Sequence, residues 1–204
     1  MSAMDKLFSR GHVQLLRELP PEQQTLVNSH PIKYFILWRV IFKSNSLSTP
    51  CRPVFDCSTR TPHNPDGSAG RCLNDAMCRG RTLPLNLIKM LLRFSIGLCA
   101  ISGDIKNFYN CFKLIPEDWH LQLFLWKEDM NPDNETVVAV VKTIIYGNTA
   151  SVPQSEEGMR QFANYIRDSN PRLASFLTES RYVDDLNDSE PSHSTLDSLQ
   201  ADAD

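Results

Sequence analysis

Apolar positions along the chain change period several times, and the changes mark out its elements. Over residues 7–26, Leu15, Leu16 and Leu19 fall on one helical face until Pro20-Pro21 interrupts it. Residues 34–43 form an aromatic and β-branched run that ends in a Ser/Asn/Thr/Pro stretch. This predicts a strand entering a hairpin, with Val54-Phe55 on the returning arm. Residues 61–70 are rich in Pro, Asn, Asp, Gly and Ser and read as a loop. Leu87, Ile88, Leu91 and Leu92 then recur at helical spacing within 83–94, ahead of a short apolar run, Leu98-Cys99-Ala100-Ile101, of the kind expected for a buried strand. Residues 120–126 and 137–145 predict a second hairpin around a turn at 131–135. Over 154–168, Met159, Phe162, Ala163 and Ile166 make a helical stripe suited to the back of a sheet. Residues 173–183 lead into Asp184-Asp185, where the early return of polar residues predicts a short second arm. Ser192 is placed to cap a last helix bearing Leu196 and Leu199.

The chemistry concentrates at Tyr182-Val183-Asp184-Asp185 and at Asp104, which ends the apolar run before it. Two adjacent carboxylates repel by about 1 kcal/mol at 4 Å in bulk water, and by more in a drier site, so a fold that presents them together usually supplies cations. Side chains alternate faces along a strand. Asp184 and Asp185 can therefore approach one ion only where the chain turns over at a hairpin tip, and Asp104 must arrive from a neighbouring strand. Paired divalent cations so held can activate a hydroxyl and clamp a phosphate, and carboxylate oxygens suit Mg²⁺. Each residue also has a plainer reading. Asp104 could cap a helix starting at Ile105, and the Asp pair could be a solvated turn continuing into Asn187, Asp188 and Ser189.

In that order of boxes the sequence resembles reverse transcriptases, most closely those of BEL/Pao long-terminal-repeat retrotransposons. Arg52-Pro53-Val54-Phe55-Asp56-Cys57-Ser58 and Cys72-Leu73-Asn74-Asp75 are similar to two boxes that precede the family's Asp-Ile box, here Asp104-Ile105. The resemblance implies an α+β fold of fingers and palm, with an antiparallel palm sheet backed by helices. It places an N-terminal helix and fingers at 1–97, the first part of the palm at 98–115, a fingers hairpin at 116–145 and the palm with its Tyr-Val-Asp-Asp hairpin at 146–204. Asp104, Asp184 and Asp185 would be the catalytic, metal-binding carboxylates for two Mg²⁺ ions, with Mn²⁺ as a substitute. Arg52 would hold the triphosphate of the incoming deoxynucleotide with Lys43 beside it, Tyr109 would exclude a 2′-hydroxyl, and Gly147 and Gln154 would line the nucleotide site. Partners would be an RNA or DNA template-primer, a dNTP and the rest of the polyprotein. The remainder of the palm, a thumb and an RNase H domain would lie beyond Asp204. One departure stands out: relatives carry Pro-Phe-Gly and a Pro five residues later, whereas here Tyr146 precedes Gly147 and the Pro comes one residue later still, at Pro153.

Composition narrows this only a little. Of 204 residues 41% are hydrophobic, as in a chain with a globular core, and the formal net charge of -3 gives no independent sign of nucleic-acid binding. A cationic face would have to come from Arg71, Arg79, Arg81, Lys89 and Arg93. Arg52 and Lys43 are otherwise ordinary surface cations, and Phe108, Tyr109 and Phe112 otherwise core residues. Six cysteines without a CxxC pair, a signal peptide or a transmembrane stretch predict a reduced, intracellular chain, cytoplasmic or in retroelement particles. Cys51, Cys57, Cys72, Cys78 and His63 could gather Zn²⁺, although their spacings are not those of known zinc modules. The functional expectation is an RNA-directed DNA polymerase domain fragment. The alternative is a catalytically silent retroelement remnant that binds nucleic acid or protein.

Overall fold

The computed structural model describes residues 3–42, 51–63, 66–80, 87–128 and 131–192. It is a mixed α and β chain with small antiparallel sheets, and its residues divide into two compact units. Met1–Cys78 with Tyr109–Ser151 make the first, and Arg79–Phe108 with Val152–Asp204 the second.

The first unit opens with α1 (Ala3–Ser9), which ends where Gly11 takes a φ of 69°, a conformation that interrupts a helix and that glycine adopts without strain. The continuous helical face expected over 7–26 is therefore not formed. Val13–Leu15 is a strand, β1, and the second proline of Pro20-Pro21 is the first residue of a separate helix, α2 (Pro21–Ser29), where its missing N–H costs nothing. The reason is a distant partner: β1 pairs antiparallel with β6 (Val137–Val141), Val13 opposite Val141, and β6 pairs in turn with β5 (Leu123–Trp126). The hairpin expected between 120–126 and 137–145 is present as β5 and β6, with its β-branched run forming the central strand. Val13, Phe124, Ala139 and Val141 join Phe55 and Leu73 in one buried cluster. The earlier hairpin is likewise formed by β2 (Leu37–Phe42) and β3 (Cys51–Asp56), with Trp38 opposite Phe55. A one-turn helix, α3 (Leu73–Ala76), follows the loop.

The second unit is a three-stranded antiparallel sheet with helices against it. Its strands are β4 (Cys99–Asp104), β7 (Arg181–Tyr182) and β8 (Asp185–Glu190), in the order β4-β8-β7. The helices are α4 (Leu87–Phe94), α5 (Ser151–Ile166), which begins at the boundary between the units, and α6 (Pro171–Glu179). Asn170 caps α6 by accepting the Leu173 N–H at 3.0 Å, and Ala174, Phe176 and Leu177 are its buried face.

Three expectations are corrected here. The run 98–101 is not a buried strand: β4 is an edge strand whose half-buried Cys99 and Ile101 alternate with exposed Ala100 and Ser102, and Leu98 is 89% exposed. The arm after Asp185 is not short. β8 runs six residues as the central strand, because its polar side chains are partnered: Asp188 accepts from Ser180 at 2.5 Å, and Glu190 pairs with Arg172 at 2.8 Å. On α5, Met159 and Ala163 are buried as the stripe requires but Phe162 faces solvent, and the buried face continues through Ser155 and Glu156 instead. The helix predicted after Ser192 lies outside the described residues.

Candidate functional site

Pairing of β4 with β8 sets Asp104 directly opposite Asp185, and pairing of β7 with β8 sets Tyr182 opposite the same Asp185. Val183 and Asp184 are thus the two central residues of a tight hairpin turn, and three carboxylates from positions eighty residues apart lie on adjoining backbone. Opposed residues of an antiparallel pair project from the same face, so Asp104 and Asp185 share one side of the sheet. Asp184, in the turn, is released from strict alternation. Asp104 is the last residue of a paired strand, and Ile105 begins no helix, so the cap reading does not describe it.

The turn itself is strained. Val183 has a φ of 59°, a region that a β-branched residue enters only when its surroundings impose it. Both peptides that flank Asp184 are tied down. The Val183 carbonyl accepts from Arg181 Nη1 at 2.5 Å, and the Asp184 carbonyl accepts the Ile105 N–H at 2.8 Å. The second bond joins the residue after Asp104 to the turn, so the register of β4 and the position of Asp184 are fixed together.

Electrostatically the three carboxylates differ from most of the other described acids of this unit, exposed Asp168 just past the end of α5 being a further one without an ion pair among the described residues. Glu156 is paired with Arg181, Glu179 with Arg93, Glu190 with Arg172, and Asp188 lies 3.9 Å from Arg93 Nη2. Among the described residues, no ion pair or hydrogen bond engages the side chain of Asp104, Asp184 or Asp185. Three unneutralised carboxylates, exposed or half-buried at one end of a sheet, have the donor chemistry of a hard divalent cation site. No group of three or more His, Cys, Asp or Glu side chains converges to hold a metal ion among the described residues. What the fold supplies is the placement of the three positions.

The other expected nucleotide-site residues divide between the units. Gln154 is exposed on α5 in the second, whereas Arg52, Tyr109 and Gly147 belong to the first. Arg52 is exposed on β3, opposite Ile41. Tyr109 is 8% exposed and stands edge-on to Tyr146 with ring centroids 4.5 Å apart, and its neighbour Phe108 is wholly buried. Gly147 is required by its surroundings, since its φ is 95° and a Cβ would lie 2.8 Å from the Phe55 carbonyl oxygen. Asn74 secures that loop by donating to the Gly147 carbonyl at 2.9 Å and accepting from the Thr149 N–H at 3.0 Å. This gives the Leu-Asn-Asp box a structural task. Lys43 lies outside the described residues, as does Arg81 of the proposed cationic cluster. Lys89 and Arg93 of that cluster are drawn to Glu179, Lys89 at 3.8 Å, which leaves less of it for phosphate.

Two residues that no motif singles out are central to the site: Glu156 and Arg181. Each is a charge placed where apolar residues would be expected. Glu156 precedes Met159 by three positions on the buried face of α5, and Arg181 follows the buried end of α6, so a charge on an apolar stripe was the available signal. No family model matches the chain, and a search of curated proteins returns no match.

Proposed function

We propose that the second unit is the catalytic part of an RNA-directed DNA polymerase, in which Asp104, Asp184 and Asp185 hold two Mg²⁺ ions. The observation that carries this reading is the register of Asp104 against Asp185 beside a two-residue turn bearing Asp184. It satisfies the demand made by the sequence pattern alone, that the third carboxylate come from a neighbouring strand. When bound, the ions would lower the pKa of a primer 3′-hydroxyl and offset the charge that develops on the transferred phosphate. The chain's own share is placement. The β4–β8 ladder sets two carboxylates on one face, and the anchored turn carries the third at the adjoining backbone position.

Primer extension on an RNA template tests this directly. Incorporation should require Mg²⁺ or Mn²⁺ and should be abolished by Asp184→Asn; incorporation unaffected by that substitution would overturn the assignment. The competing reading, a binding module without catalysis, draws on the exposed apolar residues Ile88, Leu92, Ile96 and Leu98 of the same unit, which are 72%, 63%, 81% and 89% exposed. Salt-dependent binding of an RNA–DNA hybrid with no incorporation would favour it.

A further inference from the structure

Arg181 is the most heavily engaged side chain near the turn. A guanidinium has five N–H donors, and four of them are assigned. Nη1 and Nη2 donate to the two oxygens of Glu156, each at 2.7 Å, Nε donates to the Leu177 carbonyl at 3.0 Å, and Nη1 also donates to the Val183 carbonyl at 2.5 Å. Its plane lies over the Phe108 ring, 5.5 Å from the centroid. Arg181 is 8% and Glu156 6% exposed, so this is a buried, forked ion pair joining α5 to β7. Structural support for a strand would not require the fourth bond. That bond reaches past Tyr182 to the carbonyl of the strained residue, and the peptide it holds is the one whose nitrogen belongs to Asp184.

We propose that Arg181, oriented by Glu156, is a positioning residue for the Asp184 carboxylate. It holds the Val183–Asp184 peptide in the left-handed turn, while the Ile105 N–H holds the next peptide. A lysine would keep the charge but not the fork, and could not span Glu156, Leu177 and Val183 together. The clamp is read from geometry alone; its importance for metal binding rests on the polymerase reading above.

The test removes both charges at once, because leaving either one buried and unpaired would itself threaten folding. The double variant Arg181→Met with Glu156→Leu should unfold near the wild-type temperature. Its Ile105 amide, freed when the turn relaxes, should exchange with solvent at least about tenfold faster, while amides of β5 and β6 are unchanged. Affinity for Mn²⁺, measured by electron paramagnetic resonance, should fall by about tenfold or more, the usual effect of losing a group that orients a ligand. A folded double variant with wild-type Ile105 protection overturns the clamp, and so does one that exchanges faster yet binds Mn²⁺ as tightly as wild type. If wild type binds no Mn²⁺, the polymerase reading falls instead, and the exchange rate still decides the clamp. Should the double variant not fold, Arg181→Lys takes its place in both measurements, and wild-type protection or wild-type Mn²⁺ affinity in that variant overturns the clamp in the same way.

Discussion

Asp185→Asn should change stability in opposite directions with and without Mg²⁺. Asp104 and Asp185 are aligned partners across β4 and β8, where backbones of an antiparallel pair stand about 4.5–5.5 Å apart. Carboxylates about 6 Å apart repel by about 0.7 kcal/mol at the dielectric of water and by about 3 kcal/mol at an effective value near 20. Both residues are exposed, so the low end applies, and it is of the size of the ~0.2–1 kcal/mol that favourable cross-strand pairs contribute in a sheet, where directly opposed like charges destabilise. Asp184 adds a comparable contribution from the turn. Removing the Asp185 charge in EDTA should therefore stabilise the protein by about 1 kcal/mol, or about 2–4 °C in a chain of this size. On the proposed metal assignment, free Mg²⁺ at about ten times its dissociation constant should stabilise wild type by about 1.4 kcal/mol, a gain the variant should lack. Differential scanning fluorimetry in EDTA and in Mg²⁺ should thus show the variant above wild type in the first and below it in the second. About 1 M salt should shrink the difference in EDTA, since screening then acts within ~3 Å. A variant less stable than wild type in EDTA would mean that Asp185 has a structural partner. Equal stabilisation of both proteins by Mg²⁺ would refute the metal assignment.

Three further expectations address other parts of the molecule. Val183→Gly should stabilise by about 0.5–1 kcal/mol, since relief of ~1–2 kcal/mol of left-handed strain exceeds the ~0.5–1 kcal/mol entropic cost of glycine; destabilisation in a denaturant titration would mean the valine side chain carries more packing than strain. His120 is 7% exposed and stacked on His30 with centroids 3.4 Å apart; burial first, and the His30 charge second, hold its pKa below the ordinary 6.5. The unfolded chain therefore takes up that proton first, and stability should be complete above 6.5 and fall as pH drops from there through the lowered folded value. His120→Gln should flatten that acid limb in urea titrations, and an unchanged limb would assign it to other groups. The Cys57 thiol, 1% exposed and pushed up to about 12 by burial, should resist iodoacetamide at mildly alkaline pH until the protein unfolds, while exposed Cys78 reacts; early labelling of Cys57 would show that this core opens locally.

What could be read from sequence and what could not divide along physical lines. The hairpins β2–β3 and β5–β6 announce themselves because β-branched runs interrupted by turn residues leave a chain few other ways to bury them. The three Asp positions are readable for a different reason: adjacency of Asp184 and Asp185 forbids a shared face on a straight strand, so a turn is implied before any coordinates are known. β1 is invisible to periodicity, since Val13, Gln14 and Leu15 extend only because β6 is there to pair with them. The length of β8 is hidden likewise, because Asp188 and Glu190 are acceptable in a central strand only with Ser180, Arg93 and Arg172 supplied from α4, α6 and the residue after α6.

The same distinction explains why Glu156 and Arg181 escape a reading by motif. A motif search favours residues that would touch substrate, and this pair touches the backbone instead. Yet the conformation at Val183 is intrinsically unfavourable, at about 1–3 kcal/mol for a residue held in a sparsely populated region, and it persists only where several anchors over-determine it. Ile105 supplies one anchor from β4's end and Arg181 the other from β7, itself fixed by a carboxylate on α5. The carboxylate turn is thus tied to two strands and a helix of its unit. Replacing Asp184 would remove a proposed ligand and leave this frame standing; releasing Arg181 would leave all three carboxylates in the sequence and loosen the turn that carries one of them.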